Sequence, residues 1–124
     1  MIGIIGSRNF PFDVFNSKIE SAYSVFTPDS VVTGQANGID TYVKVWCDKK
    51  GIDCLDLDCL RPDIPSYFLH RDAEIVALSD GGLISFWDGK SRGTNFTMRY
   101  GAMRGRKVLV VDTKGKEYWF GEVI

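Results

Sequence analysis

Leu83-Ile84-Ser85-Phe86-Trp87-Asp88-Gly89-Lys90-Ser91-Arg92-Gly93-Thr94 is the stretch that decides the fold. Its first five residues suit a strand covered on both faces, and Asp88-Gly89 ends it. Gly93-Thr94 then opens a helix running to about Arg104, and Lys107-Val108-Leu109-Val110-Val111 follows as another buried strand. A strand, a loop, a helix and a second strand make one parallel crossover unit.

The same alternation extends toward the N-terminus. Leu69, Ala73, Val76 and Ala77 mark the apolar face of a helix that stops before Asp80-Gly81-Gly82. A loop over residues 58–65, with Pro62 and Pro65, precedes it. Ile52 to Leu57 alternates acidic with apolar residues, as an edge strand does. Ile39, Val43, Trp46 and Cys47 predict a helix closed by Lys49-Lys50-Gly51, a basic last turn with a glycine stop. Val31-Val32-Thr33 is a strand. Phe15, Ile19, Ala22, Tyr23 and Phe26 share one helical face, broken by Pro28-Asp29-Ser30, and Ile2 to Ile5 is the first strand. Beyond Val111, a turn at Thr113 to Lys116 leads to a short strand around Glu117 to Phe120. The pattern predicts an α/β three-layer sandwich: one mostly parallel sheet with helices on both faces and an added C-terminal edge strand. In such sheets ligands bind outside the carboxyl ends of the strands, which directs attention to the loops after the first, second and fourth.

Composition sets the outer bounds. The 124 residues are 44 % apolar and 25 % charged, the balance of a folded domain, and suit a single unit over residues 1–124. A net charge of −1 argues against nucleic-acid binding by bulk charge, although Arg99, Arg104, Arg106 and Lys107 form a local basic cluster. Cys47, Cys54 and Cys59 have no Cys-x-x-Cys spacing and His70 is the only histidine, so no metal is expected. No apolar run approaches the roughly 18 residues of a membrane span. The short start, Met1 to Gly6 followed by Ser7-Arg8, reads as a strand rather than a signal peptide. A soluble, cytoplasmic protein with free thiols is the expectation.

Three loops carry the chemistry. Gly6-Ser7-Arg8 combines a sharp turn, a hydroxyl and a guanidinium fork suited to phosphate. Gly34-Gln35-Ala36-Asn37-Gly38 leads into a helix whose first N–H groups can face an anion; Asp40 is placed to cap that helix, to contact a ribose hydroxyl or to bind another group. This is neither a Walker A loop nor a Gly-x-Gly-x-x-Gly fingerprint. In the third loop Asp88, Gly89, Lys90, Ser91, Arg92, Gly93 and Thr94 gather a carboxylate, two hydroxyls and two cations at a helix start, where a phosphate gains charge-assisted bonds. Arg71-Asp72 reads as a salt-bridged surface pair, His70 as structural, and Phe86-Trp87 as core.

Taken in order, Gly6-Ser7-Arg8, Thr33-Gly34-x-Ala36-x-Gly38-Ile39-Asp40, Arg71-Asp72 and Phe86-Trp87-Asp88-Gly89-x-Ser91-x-Gly93-Thr94 resemble the YspA-like branch of the SLOG superfamily. That superfamily is related to DprA-type DNA-processing proteins and the Lonely Guy phosphoribohydrolases. The resemblance covers residues 1–111. It implies a Rossmann-like sheet ordered 3-2-1-4-5 and a nucleotide-like ligand between the Gly-Ser-Arg loop and the Gly-Thr helix start. By the same resemblance, Ser7 and Arg8 contact phosphate or ribose, and Gly34 and Gly38 shape the pocket. Arg71 reaches in from the third helix, Asp88 and Ser91 line the mouth, and Gly93-Thr94 cradles the phosphate. Three positions depart from the pattern. Thr97 stands where the hydrolases carry a catalytic Glu, Gln35 where the second loop has Gly, and Asp72 where an Asn follows the helix Arg.

Threonine cannot act as a base or stabilise an oxocarbenium-like centre by charge, so the residues favour binding over catalysis. The expected protein is a sensor or sequestering module for a nucleotide-derived molecule, such as an ADP-ribose or cyclic-nucleotide signal in bacterial or phage conflict, with no separate cofactor. The first alternative is an enzyme acting on a nucleotide N-glycosidic bond, hydrolase or deoxyribosyltransferase-like. It would use Asp88 or Asp40 as the carboxylate and Arg8 and Arg92 to hold phosphate. The second alternative is a DprA-like nucleic-acid binder. Faces bearing Tyr42, Trp46 and Tyr100 offer a surface for a homodimer or higher homo-oligomer, a common state in this superfamily.

Overall fold

A computed structural model describes residues 1–34, 38–57, 61 and 63–121. Gln35, Ala36, Asn37, Cys59 and Pro62, all singled out from the sequence, lie outside the described residues. The elements run β1 (Ile2–Gly6), α1 (Phe12–Phe26), β2 (Ser30–Gly34), α2 (Ile39–Lys50), β3 (Asp53–Leu57), α3 (Pro65–Leu78), β4 (Leu83–Phe86), α4 (Arg92–Met103), β5 (Val108–Val111) and β6 (Glu117–Trp119). They form one sheet ordered β3-β2-β1-β4-β5-β6. The first five strands are parallel and β6 is antiparallel to β5. The fold is therefore the Rossmann-like three-layer arrangement expected, with its edge strand.

Strand alternation divides the core in two. Ile2, Ile4, Val31, Ile84, Phe86, Leu109 and Val111 point to one face, where Phe15, Ile19 and Ala22 of α1 and Ile39, Val43 and Cys47 of α2 cover them. Ile5, Val32, Leu83, Val108 and Val110 point to the other, under Ile75 and Val76 of α3 and Met98 of α4. β1 and β4 are neighbours in the sheet, with Gly6 opposite Phe86, and the winding reverses between them. The crevice at their carboxyl ends is the switch point at which such sheets bind ligands.

Two details differ from the sequence expectation. Trp46 is only 8 % exposed, its ring edge-on to Tyr23 at 5.1 Å and its Nε1 donating to Glu20 at 3.4 Å. It belongs to the core and offers nothing to a second subunit. The inward face of α3 is also turned: Asp72, Ile75 and Val76 are buried, whereas Leu69 and Ala77 are exposed. This is a rotation of about one residue position, roughly 100°. It carries Asp72 from the predicted surface to the interior.

Candidate functional site

At the switch point lies a cavity of about 220 Å³, walled by the end of β1, the start of α2, one face of α3 and the first turns of α4. Ile5, Phe68 and Ile75 form its apolar wall. Its polar groups are Arg8, Asp40, Arg71, Asp72, Ser91, Thr94 and Thr97, with the backbone of Gly6 and Gly93. Seven residues expected from the sequence thus meet in one place: Gly6, Arg8, Asp40, Arg71, Ser91, Gly93 and Thr94.

The two cations are positioned by glycines. A Cβ at Gly34 would sit 2.9 Å from the Arg71 guanidinium carbon, so the bare end of β2 is what lets Arg71 lie across it. Arg71 is held further by the Phe68 ring, whose centroid is 5.4 Å away, and by Asp72. Gly38 has φ of +84° and packs directly on the Arg8 backbone, where any side chain would collide. Gly34 and Gly38 therefore serve the site by seating Arg71 and the Arg8 loop. Arg8 itself is exposed at the rim.

The loop before α4 is tied down from several sides. Asp88 Oδ1 accepts from the Lys90 and Ser91 N–H groups, both at 2.8 Å. Ser7, 1 % exposed, accepts from the Asp88 N–H at 3.0 Å and joins the β1 and β4 loops. Trp87 Nε1 donates to Ser91 O at 3.1 Å. Burial pushes the Asp88 carboxyl up, but the Lys90 and Ser91 N–H groups and Ser7 outweigh it and leave the group below its ordinary value. Ser7 and Asp88 thus build the loop rather than line the cavity. Ser91 caps α4: its Oγ accepts from the Thr94 N–H at 3.4 Å and pairs with Thr94 Oγ1 at 3.1 Å. Asn95 N donates to Ser91 O, so among the described residues the Arg92 and Gly93 N–H groups have no acceptor. They stand at the positive end of the helix dipole.

Two carboxylates face these cations. Asp40, 6 % exposed, lies 3.0 Å from Thr33 Oγ1, whose single proton also has Ile4 O at 2.8 Å as an acceptor. Asp72, 8 % exposed, accepts from Arg71 Nη2 at 3.2 Å and Nε at 3.4 Å. Burial pushes the Asp72 carboxyl above its ordinary value, against the Arg71 charge and hydrogen bonds from Arg71 and Thr97. The Thr97 hydroxyl donates to Gly93 O at 3.0 Å.

Arg92 points elsewhere. It lines an open groove on the outer face of α4 with Asn95, Phe96, Arg99, Tyr100 and Met103. The sequence assigned Arg92 to the phosphate; the cavity takes its second guanidinium from Arg71 instead. Phe68 was the member missed; Thr97 and Asp72 entered the sequence reading only as departures from the family pattern, and the Arg71-Asp72 pair was otherwise read as lying on the surface. Among the described residues no group of three His, Cys, Asp or Glu side chains could hold a metal ion. No helix among them is long and apolar enough to cross a membrane. Comparison with family models, curated proteins and solved structures gave no match.

Proposed function

We propose that the protein binds a phosphate-bearing, nucleotide-derived small molecule at the carboxyl ends of β1 and β4, as a sensor or sequestering module. The observation that carries this is the cavity itself, which brings Arg8, Arg71 and the start of α4 to one point. An anion there meets two guanidinium groups and free helix N–H donors together, an arrangement suited to phosphate. A volume of about 220 Å³ lies below the roughly 300–1,000 Å³ typical of whole drug-sized ligands. It therefore holds the phosphate and sugar, and the base lies outward along Phe68, which is 37 % exposed.

The test is a melting-temperature panel with AMP, ADP-ribose, NAD and cyclic ADP-ribose isomers, with ligand integrity followed in the same samples. Wild type is run beside Arg8→Ala, which removes a pocket cation, and Arg92→Ala, which removes one outside it. A shift with intact ligand, lost in Arg8→Ala and kept in Arg92→Ala, is the expected result. No shift with any compound contradicts the proposal.

A second function is favoured by one observation, the two buried carboxylates within the same cavity. Asp40 or Asp72 would stabilise the developing positive charge at an anomeric carbon as water attacks and the base leaves with a proton. Release of free base in the same panel, abolished by Asp40→Asn or Asp72→Asn, would establish an N-glycosidic enzyme. Asp88, the other carboxylate considered from the sequence, is not among the residues lining this cavity, and its Oδ1 accepts from the Lys90 and Ser91 N–H groups.

A further inference from the structure

The formal charges in the cavity balance: Arg8 and Arg71 face Asp40 and Asp72. Arg71 is already paired with Asp72, and both side chains of that pair are almost wholly buried. Among the described residues nothing pairs with the Arg8 guanidinium. A ligand therefore meets one uncommitted side-chain cation, supplemented by the partial charge at the start of α4. Resting on the phosphate-ligand proposal above, we infer that the pocket selects a singly charged phosphate, a phosphodiester within a nucleotide, over a terminal phosphomonoester, and that Asp72 sets this preference.

In a cavity of about 220 Å³ no lining group is far from the bound phosphorus, so Asp72 opposes each added negative charge. A phosphodiester carries one charge at neutral pH, whereas a monoester carries about 1.5 to 2. Burial, which already raises the Asp72 carboxyl, leaves that repulsion poorly screened. The groups facing Asp72 are Arg71 on its own helix, Arg8 from the loop after β1, Asp40 from α2 and the Thr97 hydroxyl from α4. Only Arg8 has charge to spare for a second phosphate oxygen. A dianion fits when Asp72 or the phosphate itself takes up a proton, and both routes weaken binding as pH rises.

Adenosine 5′-monophosphate and its 5′-methyl ester isolate the charge, since they differ by one methyl group. Calorimetry on the full chain at pH 8 is expected to show the ester binding about tenfold more tightly. Asp72→Asn is expected to close the gap by strengthening the monophosphate. With the unchanged protein, monophosphate binding should tighten from pH 8 to pH 5.5, across its second pKa of about 6, by more than ester binding does. A monophosphate that binds as tightly as the ester at pH 8, or a flat monophosphate profile, overturns the selectivity while leaving phosphate binding intact. Failure of both compounds at every pH overturns the phosphate-ligand proposal, and the selectivity with it.

Discussion

Arg8 and Arg71 carry the same charge into the same cavity but differ in what else they support. Arg71 compensates a buried carboxylate, so Arg71→Ala leaves Asp72 unpaired and is predicted to cost about 3 kcal/mol at neutral pH. That is a fall in melting temperature on the order of 10 °C. Arg8 is exposed, and Arg8→Ala should change stability by no more than about 0.5 kcal/mol while weakening ligand binding at least about tenfold. Thermal melts and titrations on the two variants separate these roles. Asp72 adds a pH signature. Its folded-state pKa is raised, so the folded protein holds a proton that the unfolded chain releases above its ordinary value of 3.8. The stability this contributes is present below that value and lost as pH rises through the folded pKa. The melting temperature of Asp72→Asn relative to wild type should therefore climb from pH 3.5 to pH 7; a constant or falling difference would show that the carboxyl is not burdened by burial. Arg8 was legible because it follows the strand-ending Gly6-Ser7 at the carboxyl edge of the sheet, although such a loop is as often an ordinary turn. Asp72 was not, because a charged pair early in a helix is ordinarily solvated.

Among the elements, α1 and α2 were readable because their apolar residues form one narrow stripe, Phe15-Ile19-Ala22 and Ile39-Val43-Trp46-Cys47, each facing a single sheet surface. α3 was misread for a physical reason. It packs against both the sheet and α4 and also walls the cavity, so its inward face mixes Asp72 with Ile75 and Val76 while Leu69 stays outside. Hydrophobic periodicity weights Leu69 and ignores Asp72, and so turns the helix away from the site. α4 shows how a cradle constrains sequence. A Cβ at Gly93 meets no atom within 4 Å, so the fold does not require glycine there. Gly93→Ala is predicted to leave the protein as stable or up to about 0.5 kcal/mol more stable, since alanine favours helix. It should nevertheless weaken ligand binding about tenfold, because the added methyl stands beside the N–H groups offered to phosphate. Denaturant melts and calorimetry on this one variant check both halves. Unchanged binding would remove the start of α4 from the phosphate site.

At the scale of the whole molecule, the alternation of strands and helices was sufficient to give the sheet, because each crossover must be right-handed and must bury both faces. The order β3-β2-β1-β4-β5-β6 then puts the ends of β1 and β4 side by side, and residues far apart in sequence, Arg8, Arg71 and Thr94, converge. That convergence was legible only in outline, through the loops after β1, β2 and β4, since the apolar spacing of α3 turned its face away from the site. The structure also sets Arg92 apart from the cavity with Arg8 and Arg71, placing it beside Arg99 in the outer groove of α4. Backbone amide resonances followed by NMR during titration with adenosine 5′-methyl monophosphate distinguish them directly. Phosphate binding in the cavity predicts saturable shifts at Gly6, Arg8, Gly93 and Thr94, with Arg99 and Met103 unmoved. Shifts confined to Arg99, Tyr100 and Met103, or none at saturating ligand, would contradict it.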